Sequence, residues 1–218
     1  MANGMTNSKL KNSTDDILDF ICIKLNGKKC TKNEKKVLNL LFQNLYSFET
    51  NELLPNSSMI AYLMTGCGLD YPQVLSSAIN SFGDAHLPVT KICQFIVNDF
   101  KNNEKYYPGF GHPVYKQIDP RVEDLVKLVK KLKITSINID KCIKFSQEKN
   151  ICFNIGGFTG AFLIDIGFDI YSANYIPIIS RMLGLSIIYK KTKQNKLRFA
   201  TSLDNIDKYK KLSEKDNA

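Results

Sequence analysis

Residues Tyr107 to Arg121 read YPGFGHPVYKQIDPR. Two glycines and a proline set a tight turn around Phe110, and His112 follows at once. Asp119 stands where an N-cap belongs, Pro120 suits the first helical position, and Arg121 then falls in the first turn of a new helix. A glycine-rich loop thus presents an imidazole, which exchanges protons near neutral pH. A helix start presents a guanidinium, which can hold a carboxylate through two parallel hydrogen bonds. The chain has one other histidine, His86, and only two other arginines, Arg181 and Arg198, among 30 basic residues. A sequence so biased toward lysine uses Lys wherever a diffuse positive charge serves, so its arginines mark candidate sites of planar, bidentate binding.

The elements that must position these residues read as helices. Ile17 to Leu25 is a short apolar stretch. Thr31 and Glu34 form a capping box ahead of a stripe of Val37, Leu38, Leu40, Leu41 and Leu45. Ser57 or Ser58 is expected to cap a helix to about Thr65, Pro72 to start one reaching Phe82, and Pro88 to start one reaching about Phe100. Val122, Leu125, Val126, Leu128, Val129 and Leu132 mark an amphipathic helix with lysines on its far side. Further helices are expected over Asp140 to Lys149, over the small-residue stretch Gly156 to Gly167, and over Tyr171 to Tyr189, started or broken near Pro177. Almost no stretch alternates with period two, so the predicted fold class is all-α.

Composition narrows the function. At 218 residues the chain can bury one sizeable core or two small ones. A net charge of +9 invites a nucleic-acid reading, but the lysines are scattered, often beside Asp or Glu, with no basic stripe and no interleaved aromatics. No nucleic-acid partner is expected. No apolar run reaches membrane-spanning length and no signal-type apolar segment opens the chain, which predicts a cytoplasmic protein without membrane contact. None of the six cysteines forms a C-x-x-C pair. That argues against a metal site, and buried free thiols are the expected state.

The string GFGHPVYK…DPR resembles the signature of the citrate synthase family, which includes the citryl-CoA lyases; the proline after the histidine is closer to the lyase-like and prokaryotic branches. The resemblance spans roughly Asn51 to Arg198 and is strongest from Tyr107 to Leu128. It implies a trimmed large domain built from both chain ends (1–88 and 156–218). A small helical domain (89–155) carrying the signature loop would be inserted between them, in a homodimer. It implies that His112 polarises the carbonyl of a 2-oxo acid and that His86, in SFGDAHLP, donates to a thioester carbonyl. The two would face one interdomain cleft. The backbone of Pro108, Gly109, Phe110 and Gly111 would recognise the adenine of coenzyme A, with Lys116 and Lys149 near its phosphates. Arg121, Arg181 and Arg198 would bind substrate carboxylates.

Three departures from the family pattern stand out. The family's His-Gly followed by a small residue is here His86-Leu87-Pro88. An Asn-Val-Asp segment, whose aspartate moves the proton next to the thioester, is here Asn154-Ile155-Gly156, and glycine can be neither acid nor base. A substrate-binding histidine is replaced by Asn51, which can hydrogen-bond a carboxylate but carries no charge. A positioned base contributes about 10²–10⁴-fold, so its loss matters unless Asp84 or Glu52 substitutes. The resemblance therefore implies an enzyme that forms or cleaves a carbon–carbon bond between an acyl-CoA and a 2-oxo acid. Two alternatives stand beside it: a non-catalytic protein or partner subunit that binds CoA or a tricarboxylate, and a repurposed acyl-CoA-dependent acyltransferase.

Overall fold

The computed structural model of the chain describes residues 16–46, 56–83, 86–101, 106–113 and 115–194. Among them the chain forms nine α-helices and one short 3-10 turn, with isolated bridges in place of strands. The helices are α1 (Ile17–Asn26), α2 (Lys32–Tyr46), α3 (Asn56–Gly66), α4 (Tyr71–Ile79), α5 (Val89–Val97), α6 (Pro120–Lys131), α7 (Ile137–Lys149), α8 (Ile155–Asp165) and α9 (Tyr175–Gln194). The all-α expectation holds.

Local chemistry explains most of the boundaries. Asp16 caps α1 by accepting from the Leu18 amide at 2.8 Å. Thr31 and Glu34 form the expected reciprocal box, each accepting from the other's backbone N–H, at 3.2 and 2.6 Å. Asp119 caps α6 and Asn154 caps α8. Several boundaries differ from expectation: α4 stops at Ile79, α7 starts at Ile137 and α9 runs from Tyr175 to Gln194. Helix α3 starts at Asn56, which puts Ser57 and Ser58 inside its first turn rather than at its cap. Helix α5 stops at Val97 because Asp99 and Phe100 take left-handed backbone (φ 50° and 61°), and the Phe100 amide returns to the Phe95 carbonyl at 2.8 Å. Phe100 thereby turns its ring into an aromatic cluster, stacked 4.5 Å from Phe145.

The chain divides into two compact units, Met1–Leu45 with Leu87–Pro177 and Tyr46–His86 with Ile178–Ala218. The sequence reading placed the boundaries at 88/89 and 155/156. The units change over at 45/46, 86/87 and 177/178, so α8 falls in one unit with the signature loop and with Met1–Leu45. In the first unit, α8 lies against α5 and α7, and the core runs through Leu38, Leu41, Ile92, Leu125, Phe158 and Phe162, all nearly inaccessible. In the second, α3 and α4 pack together and share a smaller cluster with α9, through Ala61, Tyr62, Val74, Ala78, Leu185 and Ile188.

Cys22 and Cys30 form a disulfide, which corrects the expectation that all six thiols are free. Helix α1 ends on Gly27 in left-handed backbone (φ 72°), which folds the chain back so that Cys30 returns to Cys22 eight residues later. That geometry has no C-x-x-C signature. Cys93, Cys142 and Cys152 are free and buried, as expected, and burial pushes their thiols well up, Cys152 to about 11.

Glycines set how closely α8 approaches its neighbours. A Cβ on Gly109, itself at φ 85°, would lie 2.7 Å from the Gly157 Cα, and a Cβ on Gly157 would run into the Gly109 carbonyl. Gly156 and Gly160 flank Ile92 of α5, where added Cβ atoms would meet its side chain at 3.2 and 2.8 Å. Gly157→Ala is expected to lower stability by about 1–3 kcal/mol through overpacking against backbone, despite alanine's better helix propensity. Gly156→Ala, which meets the end of the Ile92 side chain and the Asn154 Oδ1, both at 3.2 Å, is expected to stay within about 1 kcal/mol of the parent. Urea denaturation of the two variants measures the contrast.

Candidate functional site

The signature loop is stitched to the start of α8 by its own backbone. The Gly111 amide donates to the Cys152 carbonyl at 2.7 Å, the Asn154 amide donates to the Gly109 carbonyl at 3.3 Å, and Asn154 Nδ2 donates to the Gly111 carbonyl at 2.8 Å. Phe110 is buried among Phe95, Phe100, Phe145 and Phe153. Pro108, Gly109 and Phe110 are thus the buried footing of the loop, while Gly111 and His112 are partly exposed. Phe110 works here as an anchor, so anything the residue offers a ligand comes from its backbone.

His112 is held in one orientation. Its Nδ1 accepts from the Tyr115 backbone amide at 3.2 Å, and its ring stacks on the Tyr115 ring at 4.5 Å. A backbone N–H on Nδ1 leaves the neutral ring's proton on Nε2. Burial pulls the ring's pKa below its ordinary value, with the Asp119 carboxylate opposing and the Arg121 guanidinium reinforcing the shift. The result is a neutral imidazole that donates from Nε2.

Arg121 has a partner that sequence reasoning did not assign. Asp119, fully buried, accepts from Arg121 Nε at 2.9 Å and Nη2 at 2.6 Å, and also from the backbone amides of Arg121 (3.1 Å) and Ile155 (3.3 Å). One carboxylate therefore caps α6, touches the start of α8 and fixes one edge of the guanidinium. The Asp-x-Arg spacing across a proline was the available signal. A clamp on a substrate carboxylate would use the other edge of the group, because the Nε edge is occupied. Arg121→Met leaves the buried carboxylate without its counter-charge. It is expected to destabilise the chain by about 3 kcal/mol, with Asp119→Asn in the same chain recovering part of the loss; chemical denaturation of the single and double variants tests this.

His86 and Arg181 lie together in the other unit. The Ser57 hydroxyl is 3.1 Å from His86 Nε2, the Phe82 ring packs 5.3 Å from the imidazole, and the His86 backbone pairs with Gly83 in both directions at 3.0 Å. Arg181 is buried at 6 % exposure in α9. Burial, and then the Arg181 charge, push the His86 pKa from 6.5 down to about 4. His86 is a neutral imidazole at any physiological pH, and when Ser57 donates to Nε2 the ring proton sits on Nδ1. Ser57 carried no signal in the sequence beyond its place near a helix start.

Leu87, next in the chain, has φ 53°. This is the left-handed region that favours glycine, where a leucine costs roughly 1–2 kcal/mol. The backbone at this position thus keeps a glycine-like shape under a bulkier residue, whose side chain packs on the first unit's core.

Lys116 and Lys149 are exposed, the latter in the last turn of α7. Gly156 is buried in the first turn of α8. Asn51 and Arg198, like Asp84 and Glu52, lie outside the described residues. No helix among the described residues is long and apolar enough to cross a membrane.

The depressed pKa of His86 has a definite sign in stability. The unfolded imidazole takes up its proton near 6.5 and the folded one only near 4. The contribution is therefore present in full above pH 6.5 and is lost as pH falls from there through about 4. His86→Gln removes this dependence. The stability of the parent, measured against that variant by urea denaturation, is expected to fall progressively between these two pH values.

Comparison with known proteins matches this architecture to one family. The family profile described as citrate synthase, C-terminal domain, matches residues 2–198. A search of characterised protein sequences gave no match. Among solved structures, citryl-CoA lyase from Hydrogenobacter thermophilus superposes with a TM-score of 0.73 at 19% identity, covering 90% of this chain and 83% of that one. ATP citrate lyase from Methanosaeta concilii, solved with (3S)-citryl-CoA, gives 0.74 at 16% identity over 93% of this chain but only 38% of its own. Citrate synthase from Thermoplasma acidophilum, solved with carboxymethyl coenzyme A and oxaloacetate, gives 0.54 at 20% identity, covering 88% of this chain and 57% of that one. These likenesses establish a shared fold, and the profile match over most of the sequence establishes descent: the chain belongs to the citrate synthase family.

Proposed function

We propose that the protein acts on a coenzyme A thioester and a 2-oxo acid, forming or cleaving the carbon–carbon bond between them, as citrate synthases and citryl-CoA lyases do. The observation that carries this reading is the state of the two histidines. Both are held neutral, and each has one ring nitrogen engaged by a fixed partner, Ser57 for His86 and the Tyr115 amide for His112. A neutral imidazole N–H aimed at a carbonyl oxygen stabilises the negative charge that develops there without having to lose a formal charge of its own. Chemistry of this kind needs two such donors, one for the thioester oxygen as it becomes an enolate and one for the keto oxygen as it becomes an alcohol. His86 takes the first role and His112 the second.

Carboxylate recognition falls to Arg181 and to the outer edge of Arg121, with Arg198 and Asn51 as further ligands. The loop backbone from Pro108 to Gly111 takes the adenine end of coenzyme A, where Lys116 and Lys149 supply diffuse positive charge. The working form is a cytoplasmic homodimer, with neither nucleic acid nor membrane as partner and no metal in the reaction.

A second reading, binding without turnover, is favoured by one observation. At Gly156 an added Cβ would sit 3.2 Å from both the Ile92 Cδ1 and the Asn154 Oδ1, so the place of the family's catalytic aspartate is closely packed. The proton beside the thioester must then be moved by another group. Two assays separate the readings: acetyl-CoA methyl exchange in deuterated buffer with oxaloacetate present, and release of free CoA from citryl-CoA. The enzyme reading expects activity in at least one of them, and a fall of about 10²–10³-fold in His86→Ala, the loss typical of one oxyanion donor. Tight CoA binding with neither exchange nor cleavage would leave only the binding protein.

A further inference from the structure

Ser58, third residue of α3, is fully buried, and its hydroxyl has no hydrogen-bond partner among the described residues. A buried hydroxyl left unmatched is costly. Helical serines and threonines usually avoid that cost by donating to the carbonyl four residues back, as Thr65 does to Ala61 and Ser186 to Met182, both at 2.6 Å. Ser58 has no such partner among the described residues. It sits in the first turn of an 11-residue helix, whose leading amides carry partial positive charge. Ser57, beside it in the same turn, holds His86, and His86 feels the buried guanidinium of Arg181. A hydroxyl kept dry and unmatched among such groups is suited to an oxygen brought by a ligand.

We propose that Ser58 is a substrate-binding residue that donates its hydroxyl proton to a carboxylate oxygen, in a subsite completed by Arg181 and the amino end of α3. A carboxylate fits better than the thioester oxygen, because a guanidinium and a helix start both favour a full negative charge and His86 already serves the thioester. The inference rests on the reading of His86 and Arg181 as part of the substrate site.

The test is isothermal titration of the whole chain with citrate, with oxaloacetate and with coenzyme A, for the parent, Ser58→Ala and Ser58→Cys. Both variants are expected to bind the carboxylates about tenfold more weakly or worse, the loss of one charge-assisted hydrogen bond. Coenzyme A affinity is expected to stay within about twofold, the ordinary insensitivity of a site the residue does not touch. The unfolding midpoint is expected not to drop, since an unmatched hydroxyl contributes nothing to the empty protein. Unchanged carboxylate affinity in both variants would overturn the proposal. So would a parent that binds neither carboxylate, or an affinity loss that merely tracks a loss of stability. Carboxylate binding that depends on Ser58, in a protein that neither exchanges nor cleaves acyl-CoA, would sink the enzyme reading and leave this subsite standing.

Discussion

The backbone of the signature loop crosses the start of α8 at Gly109 and Gly157, at a separation that leaves no room for a methyl group on either residue. Much of the first unit's chemistry follows from that contact. It brings Asn154 within reach of Gly111 and lets Gly111 close on Cys152, so the segment leading to His112 is held at both ends. Phe110 locks the same segment from beneath by filling the aromatic cluster. A loop would otherwise lose binding precision to its own motion; anchored in this way it can present an imidazole at a fixed position.

The same logic recurs at each candidate side chain. His112 is oriented by a backbone amide, Arg121 by a buried carboxylate, and His86 by a serine hydroxyl. None depends on a neighbour of the same type, and each partner engages one edge of the group. Electrostatics then selects the protonation state. Burial disfavours the imidazolium at both histidines; the Arg181 charge adds to it at His86, whereas at His112 the Asp119 carboxylate opposes it more than Arg121 reinforces it. Arg181 thus acts twice, as a candidate carboxylate ligand and as a charge that helps keep His86 neutral. Gly156 is governed by packing instead. There the helix start packs on Ile92, and the space a side chain would need is occupied by α5.

How much of this was legible in the sequence follows from how local each determinant is. Helices with apolar stripes and polar caps, such as α2 and α6, were read nearly to the residue, because Thr31, Glu34, Asp119 and Pro120 act within one turn of themselves. The stop of α5 was missed because it depends on Phe100 reaching Phe145, a contact made 45 residues away in sequence. The disulfide was missed because a left-handed glycine turn, not a motif, brings Cys30 back to Cys22. At the site, the residue types that carry chemistry announced themselves by scarcity: two histidines and three arginines in a lysine-rich chain. Their supporting partners, Ser57, Tyr115 and Asn154, are ordinary residues whose roles appear only once the fold puts them in contact. Leu87 shows the limit from the other side, since its glycine-like backbone cannot be inferred from a leucine.

The claim on which the functional reading turns is that both imidazoles are neutral donors with defined tautomers. Since the chain contains only two histidines, nitrogen-15 spectra of the ring nitrogens at pH 7 can resolve and assign both, with single His→Gln variants as references. The expected result is two neutral rings, with His112 carrying its proton on Nε2 and accepting on Nδ1. An imidazolium at either position, or a His112 ring protonated on Nδ1, would contradict it.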